Sequence, residues 1–392
     1  MKQYNFDEVI ERTGTSSVKW EADFHTQAKQ IYPLWVADMD FACCDEIIDA
    51  LHKRVDERIY GYNKGFDEEY KEVVSSWFKK RFDWIVDKNA IFHCGGIVSA
   101  IAYALEILSD EQDGIIIQTP VYHPFRKKIE ATKRKVVENP LINTAGYYTM
   151  DYVTLEQQMS RSDVKGMILC SPHNPVGRVW KEEELLRVVE IAKKYDKWII
   201  SDEIHCDIIR SNQQHIPLLK LCKDYIHRII ACTAPSKTFN LAGLQNSNII
   251  LPNKEYQTLW KEYVQERLSI STPNSFALSA CIAAYEHGEE WLQQVNTYID
   301  ENIRCATEYL NTHLKDAVVT YPEGTYLLWV DVRAYCQDEK KLEQALRSHG
   351  VILNEGYIFG KEGSCFERIN VACPKDLLMR CLEVFTTVIK EV

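Results

Sequence analysis

Two short runs, Gly166-Met-Ile-Leu-Cys170 and Lys197-Trp-Ile-Ile-Ser201, flank an amphipathic stretch at residues 182–195. In that stretch Leu185, Val188, Val189 and Ala192 recur at helical spacing and form one apolar stripe. Neither run alternates apolar with polar residues. Continuous apolar character is what a strand needs when both its faces are covered, and a helix between two such strands makes the repeating unit of a parallel sheet. The pattern extends outward in both directions. Residues 91–94 read as a strand, followed by Gly95-Gly96 and a helical run to about residue 108. Further strands are predicted at 114–118, 228–232 and 247–251. The fold class is therefore α/β around a mostly parallel sheet.

The last hundred residues have a different rhythm. A long helix is predicted near 289–314, with strands at 318–321, 326–331, 351–354 and 367–371 and helices near 338–349 and 375–390. This α+β mixture suits a second, smaller domain. The first forty residues carry several aromatics and little periodicity, and are expected to wrap against that domain or a partner subunit.

With 392 residues the chain is long enough for two domains and a large core. Asp and Glu number 57 against 46 Lys and Arg, a net charge of −11 that argues against a nucleic-acid partner. The thirteen cysteines include no CxxC and show no metal-ligand spacing with histidine, so no metal site is expected and the protein reads as reduced and cytoplasmic. The polar start lacks a signal-peptide pattern, and no apolar run approaches the ~18 residues of a membrane span.

Residues 229–253 contain one charged side chain, Lys237, within Thr233-Ala-Pro-Ser-Lys-Thr-Phe-Asn-Leu-Ala-Gly243. A lysine between apolar strands can have a lowered pKa, which an imine-forming amine needs. Asp202 follows the 197–201 strand, where open α/β sheets collect ligands. It reads either as a turn aspartate or as a carboxylate paired with a cationic ring nitrogen. His205, three residues on, is either a satisfied polar residue or a ligand contact. Asn174, bracketed by Pro172 and Pro175, is either a structural turn residue or a fixed amide facing a ring hydroxyl. Gly95, Gly96, Ile97 and Val98 join a strand to a helix whose free N–H groups suit a phosphate. Tyr122 is placed to stack on a flat ring, or is a core tyrosine. Arg368, amid apolar residues on a predicted strand, suits a carboxylate, either a ligand's or an internal one.

Taken in order, Asn174, Asp202, Lys237 and Arg368 resemble the signature of fold-type-I pyridoxal-phosphate enzymes, the aspartate-aminotransferase superfamily. Five longer segments narrow the resemblance to the MalY/PatB-type cystathionine β-lyases. They are Trp35-Val-Ala-Asp-Met-Asp-Phe41, Tyr60-Gly-Tyr62, Ser201-Asp-Glu-Ile-His205, Ser236-Lys-Thr-Phe-Asn-Leu-Ala-Gly243 and Pro322-Glu-Gly-Thr-Tyr-Leu-Leu-Trp-Val-Asp331. Two departures from the aminotransferase pattern agree with that group. His205 stands where aminotransferases usually have Tyr, and Gln245 where many have a phosphate-binding Arg.

The resemblance implies a fold-type-I transferase fold, with a large domain at 46–285 around a seven-stranded, mostly parallel sheet. The smaller α+β domain would combine residues 1–45 and 286–392. It implies a homodimer that binds pyridoxal 5′-phosphate and an amino-acid substrate. Lys237 would link to the cofactor covalently and act catalytically, Asp202 would pair with the ring nitrogen, and Asn174 and His205 would lie at the ring's 3-hydroxyl edge. Tyr122 would stack on the ring. Gly96, Ile97, Val98 and Ser236 would hold the phosphate, with Tyr62 of the neighbouring subunit. Arg368 would grip the substrate α-carboxylate, helped by the backbone at Ala37. The implied reaction is α,β-elimination from sulfur-containing L-amino acids, as in cystathionine or cysteine-S-conjugate β-lyases. An aminotransferase with the same lysine, or a MalY-like regulatory binder keeping the enzyme fold, are the alternatives.

Overall fold

The computed structural model describes residues 2–22 and 24–392. Its main sheet has seven strands in the spatial order Ile91–Cys94, Ser247–Ile250, Ile229–Thr233, Trp198–Asp202, Val164–Cys170, Gly114–Ile117 and Lys135–Glu138. All neighbours run parallel except Ser247–Ile250, which is antiparallel to both strands beside it. Six strands coincide with those predicted. The seventh, Lys135–Glu138, lies at an edge and carries charge at both ends, so its sequence has no continuous apolar run.

Successive residues of each strand point to opposite faces, and both faces are covered. On one side Ile115, Ile117, Ile168, Ile200, Ile230 and Ile249 pack with Ala100, Ile101, Ala104 and Leu105 of the Ile97–Leu108 helix. On the other, Ile116, Met167, Leu169, Ile199, Ile229 and Ile250 pack with Leu185, Val188, Val189 and Ala192 of the Glu182–Lys194 helix. Burial on two faces accounts for the unbroken apolar strands in the sequence.

A second, antiparallel sheet has the order Val318–Thr320, Leu327–Asp331, Phe366–Asn370 and Asn354–Glu355. Here one expectation is corrected. Residues 351–354 do not form a single strand: Val351–Ile352 pairs in parallel with Tyr32–Pro33, and Asn354–Glu355 pairs with Phe366–Asn370. The chain turns between two partners, which the apolar pattern of the segment does not encode. The pairing of Tyr32–Pro33 with Val351–Ile352 makes a separate two-stranded sheet and ties the N-terminal segment to the chain that leads into the second one. Gly288 separates the Ser275–His287 helix from the Glu289–His313 helix, so the expected division at 285/286 falls in the last turn of the former. Among the described residues no helix is long and apolar enough to cross a membrane.

Gly166 shows how tightly the central strands pack. A Cβ placed there would lie 2.2 Å from the Trp198 indole and 2.3 Å from the Trp198 carbonyl oxygen. Rotating the side chain relieves the first clash but not the second. Gly166→Ala should therefore destabilise the fold by about 1–3 kcal/mol or more, seen as a clear fall in Tm. An unchanged melting curve would show that the strand pair has slack.

Candidate active site

Three adjacent parallel strands deliver the central residues to one edge of the main sheet. Their registers place Cys170, Asp202 and Cys232 side by side. Beyond Cys170 a tight turn carries Asn174. Gly177, with φ +70°, closes that turn against Pro322, whose Cα would lie 2.7 Å from an added Cβ. Asp202 ends its strand and accepts the Ile204 N–H at 3.1 Å, with His205 just after. Beyond Ile229–Thr233, the single helical turn Pro235–Thr238 presents Lys237. The second sheet contributes Arg368 from Phe366–Asn370, and Trp35, Val36 and Ala37 close the site from the N-terminal side.

These groups line one cavity of about 290 Å³. Its walls include Ala37, Ile97, Val98, Tyr122, Asn174, Asp202, His205, Lys237 and Arg368, all legible as candidates in the sequence. Gly96 immediately precedes Ile97 as the N-cap of the Ile97–Leu108 helix, which has no side-chain cap. Ser236 adjoins Lys237 but is not part of the cavity wall, and Tyr62 lies elsewhere on the chain, fully exposed beside Tyr60. Four further wall residues, Trp35, His123, Cys170 and Asn354, do not stand out in the sequence as site residues. Trp35 and Cys170 lie within segments quoted above and His123 directly follows Tyr122, so adjacency is the available signal. Asn354 reaches the site only through pairing in the second sheet, and nothing local marks it.

Lys237 donates to the Ala37 carbonyl at 2.5 Å. Among the described residues it forms no ion pair. Burial lowers its pKa to about 8; Arg368 pushes the same way, while Asp38 and Asp202 oppose. Burial likewise raises Asp202 to about 7, against the favourable Ile204 N–H and the Lys237 charge. His205 is pushed down to about 3 by burial, then by Lys237 and Arg368, and its Nδ1 is buried without a hydrogen-bond partner.

Within the chain Arg368 is held by neutral groups. It donates to Asn174 Oδ1 at 3.0 Å, to the Trp35 carbonyl at 2.8 Å and to Asn354 Oδ1, and it stacks over Phe359 with 4.8 Å to the ring centre. All these partners are neutral, its Nε is buried and unpartnered, and no carboxylate among the described residues pairs with it. Burial lowers its pKa to about 10. A buried guanidinium held only by neutral acceptors suits an incoming carboxylate.

The aminotransferase class I and II family matches residues 29–385. Cystathionine beta-lyase PatB of Bacillus subtilis is 37% identical over 371 residues, covering 94% of this chain and 95% of PatB. The structure of cystalysin from Treponema denticola, which contains a pyridoxal 5′-phosphate cofactor, superposes with a TM-score of 0.95 at 35% identity, covering 100% of both chains. The pyridoxal-phosphate-bound C–S lyase of Staphylococcus hominis gives a TM-score of 0.93 at 35% identity over 99% of this chain and 98% of that one. The chain belongs to the aminotransferase class I and II family, within its MalY/PatB-type group.

The raised pKa of Asp202 carries a stability consequence. Its folded value of about 7 exceeds the ordinary 3.8, so ionisation opposes folding progressively from about pH 4 to 7 and fully above. Asp202→Asn should raise the Tm of ligand-free protein at pH 8, with the gain vanishing toward pH 4. A gain that is absent at pH 8, or constant with pH, would contradict this electrostatic picture.

Proposed function

We propose that this chain is a pyridoxal-phosphate-dependent carbon–sulfur lyase. It would remove the sulfur substituent from an L-amino acid such as L-cystathionine by α,β-elimination, giving a thiol, pyruvate and ammonia. The observation that carries this reading is one cavity holding three groups: a buried amine titrating at about 8, a buried carboxylate, and an arginine that pairs with no carboxylate among the described residues. The names of PatB and the C–S lyase of S. hominis support it.

The residues present fit the cofactor. The uncapped start of the Ile97–Leu108 helix offers N–H groups to a phosphate, and the space around Gly96 is open, with no atom within 4 Å of where a Cβ would stand. The orphaned Nδ1 of His205 and the buried Asp202 carboxylate belong to residues of the same cavity wall. When bound, pyridoxal phosphate supplies an aldehyde for imine formation and a protonated ring that accepts the electron pair of the broken Cα–H bond.

Lys237 would hold the aldehyde carbon and, once displaced by the substrate amine, take the Cα proton on Nζ. An amine titrating near 8 is neutral often enough at physiological pH for that task. Asp202 would sit at the ring nitrogen, Asn174 and His205 at the 3-hydroxyl edge, and Tyr122 against the ring face. Gly96, Ile97, Val98 and Ser236 would hold the phosphate. Arg368 would clamp the α-carboxylate in the space bounded by Ala37. The fully exposed Tyr62 would complete the phosphate site of a second copy in a homodimer. Thirteen free cysteines, most of them buried, fit a reducing cytoplasm.

The decisive assay couples pyruvate to lactate dehydrogenase beside a thiol reagent, with L-cystathionine as substrate, in the presence and absence of 2-oxoglutarate. Pyruvate and thiol should form without any keto acid. Turnover that requires 2-oxoglutarate and yields glutamate without thiol would instead make the chain an aminotransferase.

A further inference from the structure

His123 lines the cavity and has no task in the chemistry above. Neither of its ring nitrogens has a hydrogen-bond partner among the described residues, and Nδ1 is buried. It is the N-cap of the Pro124–Ala131 helix, yet its side chain makes no capping bond there. Its ring is instead held by aromatic contacts, tilted on Tyr122 at 5.6 Å and edge-on to Phe359 at 5.8 Å. Phe359 also carries the Arg368 guanidinium, so His123 and the carboxylate clamp flank one ring.

Of the other polar wall residues, Lys237, Asp202, His205, Tyr122 and Arg368 already have roles in the proposed chemistry, and the rest are committed within the chain. Trp35 Nε1 donates to the Lys19 carbonyl, and Asn354 and Asn174 hold Arg368. The Cys170 thiol lies 3.4 Å from both the Pro172 carbonyl and the Asn174 N–H. A substrate whose carboxylate is fixed at Arg368 and whose Cα faces Lys237 must extend its side chain along what remains. There Val18 and Ile204 are apolar, and His123 offers an exchangeable N–H.

We propose that His123 is a catalytic residue that donates a hydrogen bond to the departing sulfur. As the Cβ–S bond breaks, its electron pair stays on sulfur, and the imidazole N–H stabilises the thiolate, which takes its proton later from water. The imidazole stays neutral and keeps its N–H throughout the neutral pH range, because burial, Lys127 and Arg368 together push His123 down to about 4. The proposal rests on the elimination reading of the cavity.

The test compares two leaving groups in the holoenzyme. L-Cystathionine expels a basic thiolate, whereas β-chloro-L-alanine expels chloride, which needs little help. His123→Phe should lower kcat/KM for cystathionine about ten- to hundredfold, the range for a hydrogen bond to a charged group, and change that for chloroalanine by less than about threefold. The wild-type ratio of the two values should be flat from about pH 6 to 9, where the imidazole stays neutral. Equal losses on both substrates, or none on either, would overturn the proposal, as would a ratio that falls with pH, the mark of a true acid. So would a leaving-group-selective loss in Tyr122→Phe that His123→Phe lacks. Chloroalanine turnover by the variant reports that the site is still assembled. If wild-type protein eliminates from neither substrate, the elimination reading itself fails, and that result is distinct from all of these.

Discussion

An amine that is shielded from water and, among the described residues, ion-paired with no carboxylate is the constraint around which this structure is arranged. Among the described residues Lys237 Nζ has one hydrogen-bond partner, the Ala37 carbonyl, and a neutral carbonyl compensates only part of the lost hydration. The wall that supplies this carbonyl is braced from every side. Asn370 donates to the carbonyls of Val36 and Asp38, Arg368 to that of Trp35, and Asn240 to those of Met39 and Phe41. Asp40 then gathers Lys19, Arg12 and Trp20 at 2.6, 2.7 and 2.9 Å, fixing the N-terminal segment over the same wall.

The cavity's charges are tuned together. Burial drives Lys237 and Arg368 down and Asp202 up, so each group is shifted toward its neutral form. An entering ligand with an anionic phosphate or carboxylate and a cationic ring nitrogen reverses those penalties by direct pairing. The protein thus stores in an unpaired set of groups the preference for a ligand of complementary charge pattern. In the proposed reading, Gln245 in place of an arginine would leave the phosphate to N–H groups at the uncapped helix start.

Much of this is legible in sequence because a parallel sheet is a strong constraint. Once 166–170, 197–201 and 228–232 read as neighbouring buried strands, the residues just beyond them have to converge, and Asn174, Asp202 and Lys237 do. Arg368 is legible as a cation among apolar residues, though which neutral groups hold it is not. The Lys135–Glu138 strand is hidden because an edge strand needs only one buried residue here, Val137. Asn354 and the split of residues 351–354 are hidden for another reason: both depend on long-range pairing, which leaves no periodic trace. His123 is inconspicuous beside Tyr122, since a histidine's significance lies in its missing partners, and these are visible only in three dimensions. Tyr62 lies outside the cavity of its own chain, so the role proposed for it would need a second copy.

A covalent cofactor link at Lys237 underlies every role assigned to the cavity, and borohydride reduction of the purified holoenzyme followed by peptide mapping examines it without intermediaries. The protein should be yellow, its imine absorption should be bleached by reduction, and the stable adduct should lie on the peptide containing Lys237. An adduct on any other lysine, with Lys237 unmodified, would refute the link.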